Sequence, residues 1–216
     1  MDILLLLIGL VILIFSSILH EIAHGLIAYR LGDPTAKILG RLTLNPIKHL
    51  DPYMSVLMPL LFFFGSGGRF IFGGAKPVPV DPFNLRDGVK DLALVSVAGP
   101  ITNVLIALIG SLLIHLIFPG FGYNEVLGNG ILGTILAEIV QLNLLLAIFN
   151  LIPIPPLDGS KVLAILLPQR EAAAYLAMGN VGMLILIFLL FFPIGNFSLM
   201  AIVSNLINLA LSLLGL

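Results

Sequence analysis

The stretch Ser16-Ser17-Ile18-Leu19-His20-Glu21-Ile22-Ala23-His24-Gly25 interrupts an apolar run that begins at Ile3. On a helix, residues four apart lie on one face, one turn from each other. His20 and His24 can therefore grip one metal ion between their ring nitrogens. Glu21 sits at the edge of the same face, where a carboxylate can carry protons. Two imidazoles and a glutamate in this spacing are the helical half of a zinc-hydrolase site. The location sharpens the reading, because ionisable side chains are costly inside a membrane-length apolar segment and mark function there. The bland alternative is a pair of buried, hydrogen-bonded histidines.

The composition agrees that the surroundings are lipid. Of 216 residues, 59% are hydrophobic and 10% charged, and mean hydropathy is +1.17. Soluble domains carry about 25% charged residues, so the chain reads as an all-α polytopic membrane protein embedded in the bilayer. There is no cysteine, which excludes disulfides, thiolate metal sites and cysteine nucleophiles. No basic cluster interleaved with aromatics is present, so nucleic acid is not an expected partner. The start, Met1-Asp2, has no basic n-region, and no small-residue cleavage site follows it. A cleaved signal peptide is therefore not expected. No internal repeat or signature of oligomeric state is visible. One membrane-embedded domain is expected over 1–216, with a catalytic core of about 1–168 and two C-terminal spans at about 172–216.

Along the chain, helices are expected at 1–31, 88–118 and 130–151, with final apolar spans at 172–193 and 197–216. Residues 32–51 read as a polar, basic loop. Residues 52–72 are apolar but punctuated by Pro52, Pro59 and a glycine-rich end, which suits a thin span or a re-entrant piece. Residues 73–87 contain Lys76-Pro77-Val78-Pro79-Val80, which reads as a short β-strand or hairpin with unpaired edges. All ten Lys and Arg residues fall in 30–48, 69–90 and 161–170. The loops at 119–129 and 193–197 have none. The positive-inside rule puts the three basic regions in the cytoplasm. Counting apolar runs gives six spans; charge gives five transmembrane helices plus a re-entrant segment at 52–72, and charge is the better guide.

This topology selects a third metal ligand. A catalytic zinc takes three protein ligands and keeps one open position. Asp158 follows an inward-running helix near its cytoplasmic end, at the depth of His20 and His24. Glu138, twenty residues earlier, would lie about 30 Å away along a continuous helix. It falls in the outer half and reads as a carboxylate paired with another helix or protonated. His115 reads as an interfacial side chain and His49 as a loop histidine.

Three motifs in order, HEIAH at 20–24, GPITN at 99–103 and NLIPIPPLDG at 150–159, resemble the site-2 protease family of intramembrane zinc metalloproteases. The stretches GRLTLNPIKHLDP and AKPVPVDPFN resemble its compact bacterial and archaeal branch. No PDZ-like insertion stands at 119–129, and no nucleotide-sensing domain is seen at the C-terminus. With the residues, the resemblance implies one Zn²⁺ held by His20, His24 and Asp158, with Glu21 as proton carrier for an attacking water. It also implies an oxyanion-stabilising or substrate-positioning role for Asn103, for which an interhelical hydrogen bond beside Gly99 is the alternative. The segment Lys76–Val80 could bind an unwound substrate by β-augmentation, or be a plain structural hairpin. A polar pocket open to the cytoplasm is expected around His20, Asn103 and Asp158. The implied partners are transmembrane proteins or signal-peptide remnants in a cell membrane, with cleavage toward the cytoplasmic side. Two other functions fit parts of the sequence: a membrane metal transporter and a catalytically inactive scaffold. A transporter would need ligands along a conduit, and a scaffold would not need Glu21.

Overall fold

The computed structural model describes residues 3–65, 75–195 and 197–216. Helix α1 (Ile3–Leu31) has 29 residues and is about 44 Å long at 1.5 Å per residue. Leu4, Leu7, Val11 and Phe15 form an exposed stripe along it, three to four residues apart, as a lipid-facing edge requires. Ser16, Ser17, His20 and His24 point inward and are buried. After α1 come a short α2 (Thr35–Ile38), a π-helical turn (Pro52–Leu57) and α3 (Met58–Gly65). The re-entrant piece expected at 52–72 is therefore described only as far as Gly65; its remainder, and the start of the strand expected from 73, lie outside the described residues.

Helix α4 (Gly88–Ile117) is the centre of the fold, packing along α1 on one side and α6 (Gly130–Asn150) on the other. Its inward residues are small or polar, including Ser96, Gly99, Asn103, Ala107, Gly110 and Ser111, while Leu94, Ile101, Leu105, Leu108 and Leu112 face out. This pattern is inverted relative to a soluble helix. Lipid solvates leucine as well as a protein core does, so helices associate through small residues that permit close approach and through polar side chains that bond across the interface. A short α5 (Tyr123–Leu127) occupies the loop expected at 119–129. The main apolar cluster joins α4 and α6 to the last helix through Ala107, Ile114, Ala137, Val140, Val203 and Ile207.

Beyond α6 the chain turns through residues 151–157 into α7 (Asp158–Ala164), then α8 (Gln169–Leu176), α9 (Gly179–Phe191) and α10 (Leu199–Leu213). The first, fourth and sixth helices are long and apolar enough to cross a membrane, at the positions expected. The span expected over 172–193 is not a straight helix: α8 and α9 meet at 63°. The sequence of α8, QREAAAYL, carries Arg170 and Glu171 and buries only Ala172, so polarity keeps it out of the apolar run that follows. Residues 75–81 are irregular and pair with no strand among the described residues; the hairpin expected there is not formed by them.

This irregular segment is fastened at both ends by side chains that replace the missing ladder. Lys76 N–H donates to the His49 carbonyl at 2.6 Å, and the Arg41 guanidinium donates to the Lys76 carbonyl at 2.7 Å. At the far end, the fully buried Asp33 accepts from Asp81 N–H at 2.8 Å, Asn84 Nδ2 at 3.0 Å, Thr35 N–H at 3.0 Å and the Thr35 hydroxyl. Burial opposes ionisation of Asp33, but these four donors outweigh it and hold the carboxyl below its ordinary range. A carboxyl with a lowered folded pKa contributes stability above its unfolded value, and that stability is lost as pH falls through the folded one. Replacing Asp33 by Ala strands the Asp81 N–H and should cost about 1–3 kcal/mol. Limited proteolysis should then cut residues 75–87 faster at neutral pH. In the wild type the same cleavage should accelerate only below about pH 4, and Asp33→Asn should abolish that acid step.

Candidate metal centre

The ligand half of the site comes from α1. One turn separates His20 and His24, and their rings meet edge to face with centroids 4.6 Å apart. Their Nε2 atoms lie 3.0 Å from each other, and each lies 3.1 Å from Oδ2 of Asp158. These three atoms form a nearly equilateral triangle, all from buried residues, and constitute a group able to hold a metal ion. A tetrahedral ion with bonds of about 2.0–2.1 Å separates its ligands by about 3.3 Å, within a few tenths of an ångström of the triangle.

The outer faces of the histidines show which way their lone pairs point. His24 Nδ1 lies 2.7 Å from the Val95 carbonyl. A carbonyl only accepts, so Nδ1 carries a proton, and in the neutral ring that binds a metal Nε2 turns its lone pair inward. This is the usual arrangement of a metal-ligating histidine, whose other ring nitrogen donates to a fixed acceptor. His20 Nδ1 is 2.5 Å from Asn103 Oδ1. Two lone pairs and a carboxylate meeting in a buried site repel one another unless a proton or cation lies between them.

Asp158 arrives at the first residue of α7. The connection from α6 must fold tightly to bring it there, and Gly159 permits this: a Cβ on Gly159 would lie 2.1 Å from the Leu151 carbonyl oxygen. Lys161, one turn on, places Nζ 3.2 Å from Oδ1 of Asp158. It engages the oxygen that the histidines leave, and so orients Oδ2 toward them. Gly99 of α4 is the floor of the site. A Cβ there would lie 2.5 Å from His20 Cε1 and Nε2 and 2.6 Å from His24 Cε1. The ligand rings lie directly against the backbone of α4, and no other residue fits.

Glu21 faces the segment fastened by Asp33 and Arg41. Its Oε2 accepts from Val78 N–H at 2.6 Å, leaving Oε1 as the oxygen available to a reacting group. A cavity of about 590 Å³ opens beside these groups, lined by His20, Glu21, His24, Val78, Asp158 and Lys161. Its lining also includes the apolar Leu145, Phe149, Leu176 and Met183. The pocket differs from the expected polar one in two respects: most of its lining is apolar, and Asn103 is not part of it.

The remaining sequence candidates have other partners. Asn103 is fully buried between helices, spending Oδ1 on His20 and Nδ2 on Asn143 at 2.8 Å. This is the interhelical hydrogen bonding that stood as the alternative to an oxyanion role. Val78 and Pro77 line the cavity, whereas Lys76 and Pro79 are not among its lining residues; Val80 is. Glu138 lies near Tyr123, outside the metal-binding group. His115 donates through Nδ1 to the Ser111 carbonyl of its own helix, and buried His49 donates to the Thr43 carbonyl. Lys161, Asn143 and Asp33 are the contributors that the sequence reading passed over. An amide in the apolar run 130–150 was a signal that Asn143 shared with Gln141 and Asn150.

Residues 117–193 match peptidase family M50, a stretch that contains Asp158 but not the histidines. The chain is also similar to curated proteins. It is 38% identical over 188 residues to the candidate zinc metalloprotease YwhC of Bacillus subtilis, covering 87% of this chain and 81% of that protein. It is 32% identical over 175 residues to the candidate zinc metalloprotease Rip2 of Mycobacterium tuberculosis, covering 81% of this chain but 62% of that one. Similarity extends to an archaeal protein, the candidate zinc metalloprotease MJ0611 of Methanocaldococcus jannaschii, at 29% identity over 162 residues, 75% of this chain and 72% of that one. No solved structure matches the chain.

The Gly99 floor gives a direct test of the centre. Gly99→Ala should leave the helical content intact by circular dichroism but push the imidazoles apart. Zinc binding, read by chelator competition, should weaken by at least about tenfold.

Proposed function

The chain belongs to peptidase family M50, the site-2 proteases, and we propose that it cuts peptide bonds in or near the transmembrane segments of other membrane proteins. It is a zinc metalloprotease and a multi-pass membrane protein. The observation that carries the reading is the convergence of His20, His24 and Asp158 on one point, with Glu21 beside it in the lining of a large cavity.

His20, His24 and Asp158 are the zinc ligands in this reading. Zinc bound there supplies Lewis acidity, making water acidic near neutral pH and polarising a carbonyl. The chain's own groups do the rest. Glu21 takes a proton on Oε1 and returns it to the leaving amine. The Val78 N–H steadies Oε2, so the carboxylate does not wander in the cavity. Lys161 neutralises part of the charge on Asp158 and keeps one of its oxygens turned away from the histidines. Asn103 orients His20; the hydrogen bonds at both ends of its amide favour that role over donation to an oxyanion. The apolar part of the cavity lining suits hydrophobic substrate side chains, and the fastened segment Lys76–Val80 offers backbone edge groups to an unwound substrate.

The finer architecture follows the charge pattern. Five spans with a re-entrant piece near 52–72, forming a single membrane domain, keep all basic stretches cytoplasmic. The active site then opens toward the cytoplasmic side of the cell membrane. Transmembrane regulators and signal-peptide remnants are the substrate classes this fits. A metal transporter would need successive ligand stations; among the described residues the metal-binding groupings reduce to the one set. An inactive scaffold has no use for a carboxylate held as Glu21 is.

Glu21→Gln separates these functions. Zinc content should match the wild type, while cleavage of a single-span reporter in detergent should fall about 10²- to 10⁴-fold. Undiminished cleavage would remove Glu21 from the mechanism.

A further inference from the structure

We infer that Asn143, on α6 and away from the ligands, is a positioning residue that sets which nitrogen of His20 faces the metal. The fixed point is a backbone carbonyl. One terminal atom of the Asn143 side chain lies 2.8 Å from the Ile139 carbonyl oxygen and 2.9 Å from Ser16 Oγ. A carbonyl only accepts, so this atom is the amide nitrogen. The other terminal atom is then the oxygen, and it faces Asn103 at 2.8 Å. It can only accept, so the Asn103 atom opposite it is Nδ2. Asn103 Oδ1 is therefore the atom 2.5 Å from His20 Nδ1, and His20 Nδ1 must carry a proton to donate to it. In the neutral ring that metal binding requires, His20 Nε2 is then a lone pair turned toward His24 and Asp158.

An asparagine amide can rotate and exchange its oxygen for its nitrogen. Asn103 by itself would accept either tautomer of His20. The Ile139 carbonyl cannot change role, and Asn143 transmits its constraint across α6 and α4 to α1. All three amide and hydroxyl partners, Asn103, Asn143 and Ser16, are buried, so no bulk water competes for them. His24 needs no such relay because the Val95 carbonyl fixes it directly. The two ligands are thus held by different devices, and they should respond differently to one substitution.

Asn143→Leu keeps the volume and removes the acceptor. Asn103 Nδ2 is then a buried donor with no acceptor, which is less well tolerated than an under-satisfied carbonyl oxygen, so the freed amide turns its nitrogen to His20 and favours the tautomer whose Nε2 is protonated and cannot ligate. The inference rests on the zinc reading of the site, which wild-type metal stoichiometry tests separately from the variant. The experiment compares ¹⁵N-histidine-labelled wild type and Asn143→Leu in detergent, before zinc is added, because zinc on Nε2 would itself place the proton on Nδ1. In the wild type, low-field Nδ1–H signals are expected from both His20 and His24. In Asn143→Leu the His20 signal should be lost while that of His24 persists, and zinc affinity by chelator competition should fall about 10- to 100-fold. Ser16→Ala, which leaves the Ile139 carbonyl in place, should change neither. Should Asn143→Leu fail to fold, Asn143→Asp decides. A buried, protonated carboxyl can donate to Ile139 and accept from Asn103, so both signals and near-wild-type affinity should be retained. Retention of the His20 signal in Asn143→Leu overturns the inference. So does its loss in Asn143→Asp while the His24 signal persists.

Discussion

Three electron-rich atoms brought within about 3 Å of one another, inside a structure surrounded by lipid, are the constraint on which the rest depends. Coulomb repulsion between them is weakly screened where water is scarce, so the arrangement persists only if other groups hold each atom in place and a cation completes it. The Val95 carbonyl holds His24, Asn103 holds His20, and Lys161 holds Asp158. Each partner comes from an element other than α1, so the site exists only in the assembled bundle.

That assembly depends on the inverted chemistry of α4. Small residues along its inner face let α1 and α6 approach its backbone, and Gly99 leaves room for two imidazole rings where a methyl group would collide. The same face carries Asn103, which would be a liability in lipid if unpaired. Here it becomes the link between the ligands and α6. Packing and metal preorganisation are therefore not separate features; the residues that let the helices meet are the ones that shape the site.

The helical part of the site was legible because a helix has a fixed period: His20 and His24 must share a face wherever the helix lies. Asp158 was reachable because the charge pattern implied a direction for each span, and hence an expected depth. Long apolar helices were equally plain, since lipid demands about twenty consecutive apolar residues. Tertiary hydrogen bonding was not legible. Nothing local distinguishes Asn143 from an idle amide, or Asp33 from any loop carboxylate; their meaning comes from Ile139, Asn103 and Asp81, which the chain brings to them only on folding. The bend between α8 and α9 was missed because a window of average hydropathy absorbs a short, less apolar stretch such as the eight residues of α8. The segment at 75–81 had strand-like alternation, but its prolines remove the N–H groups a ladder needs, and side-chain anchors took over.

The most direct measurement is X-ray absorption at the zinc edge of the purified, metal-loaded protein, with the metal quantified per chain. The account predicts about one zinc per chain, bound by two imidazole nitrogens and by oxygen donors that include one carboxylate. A third imidazole in the coordination sphere, or no stoichiometric zinc, would contradict it.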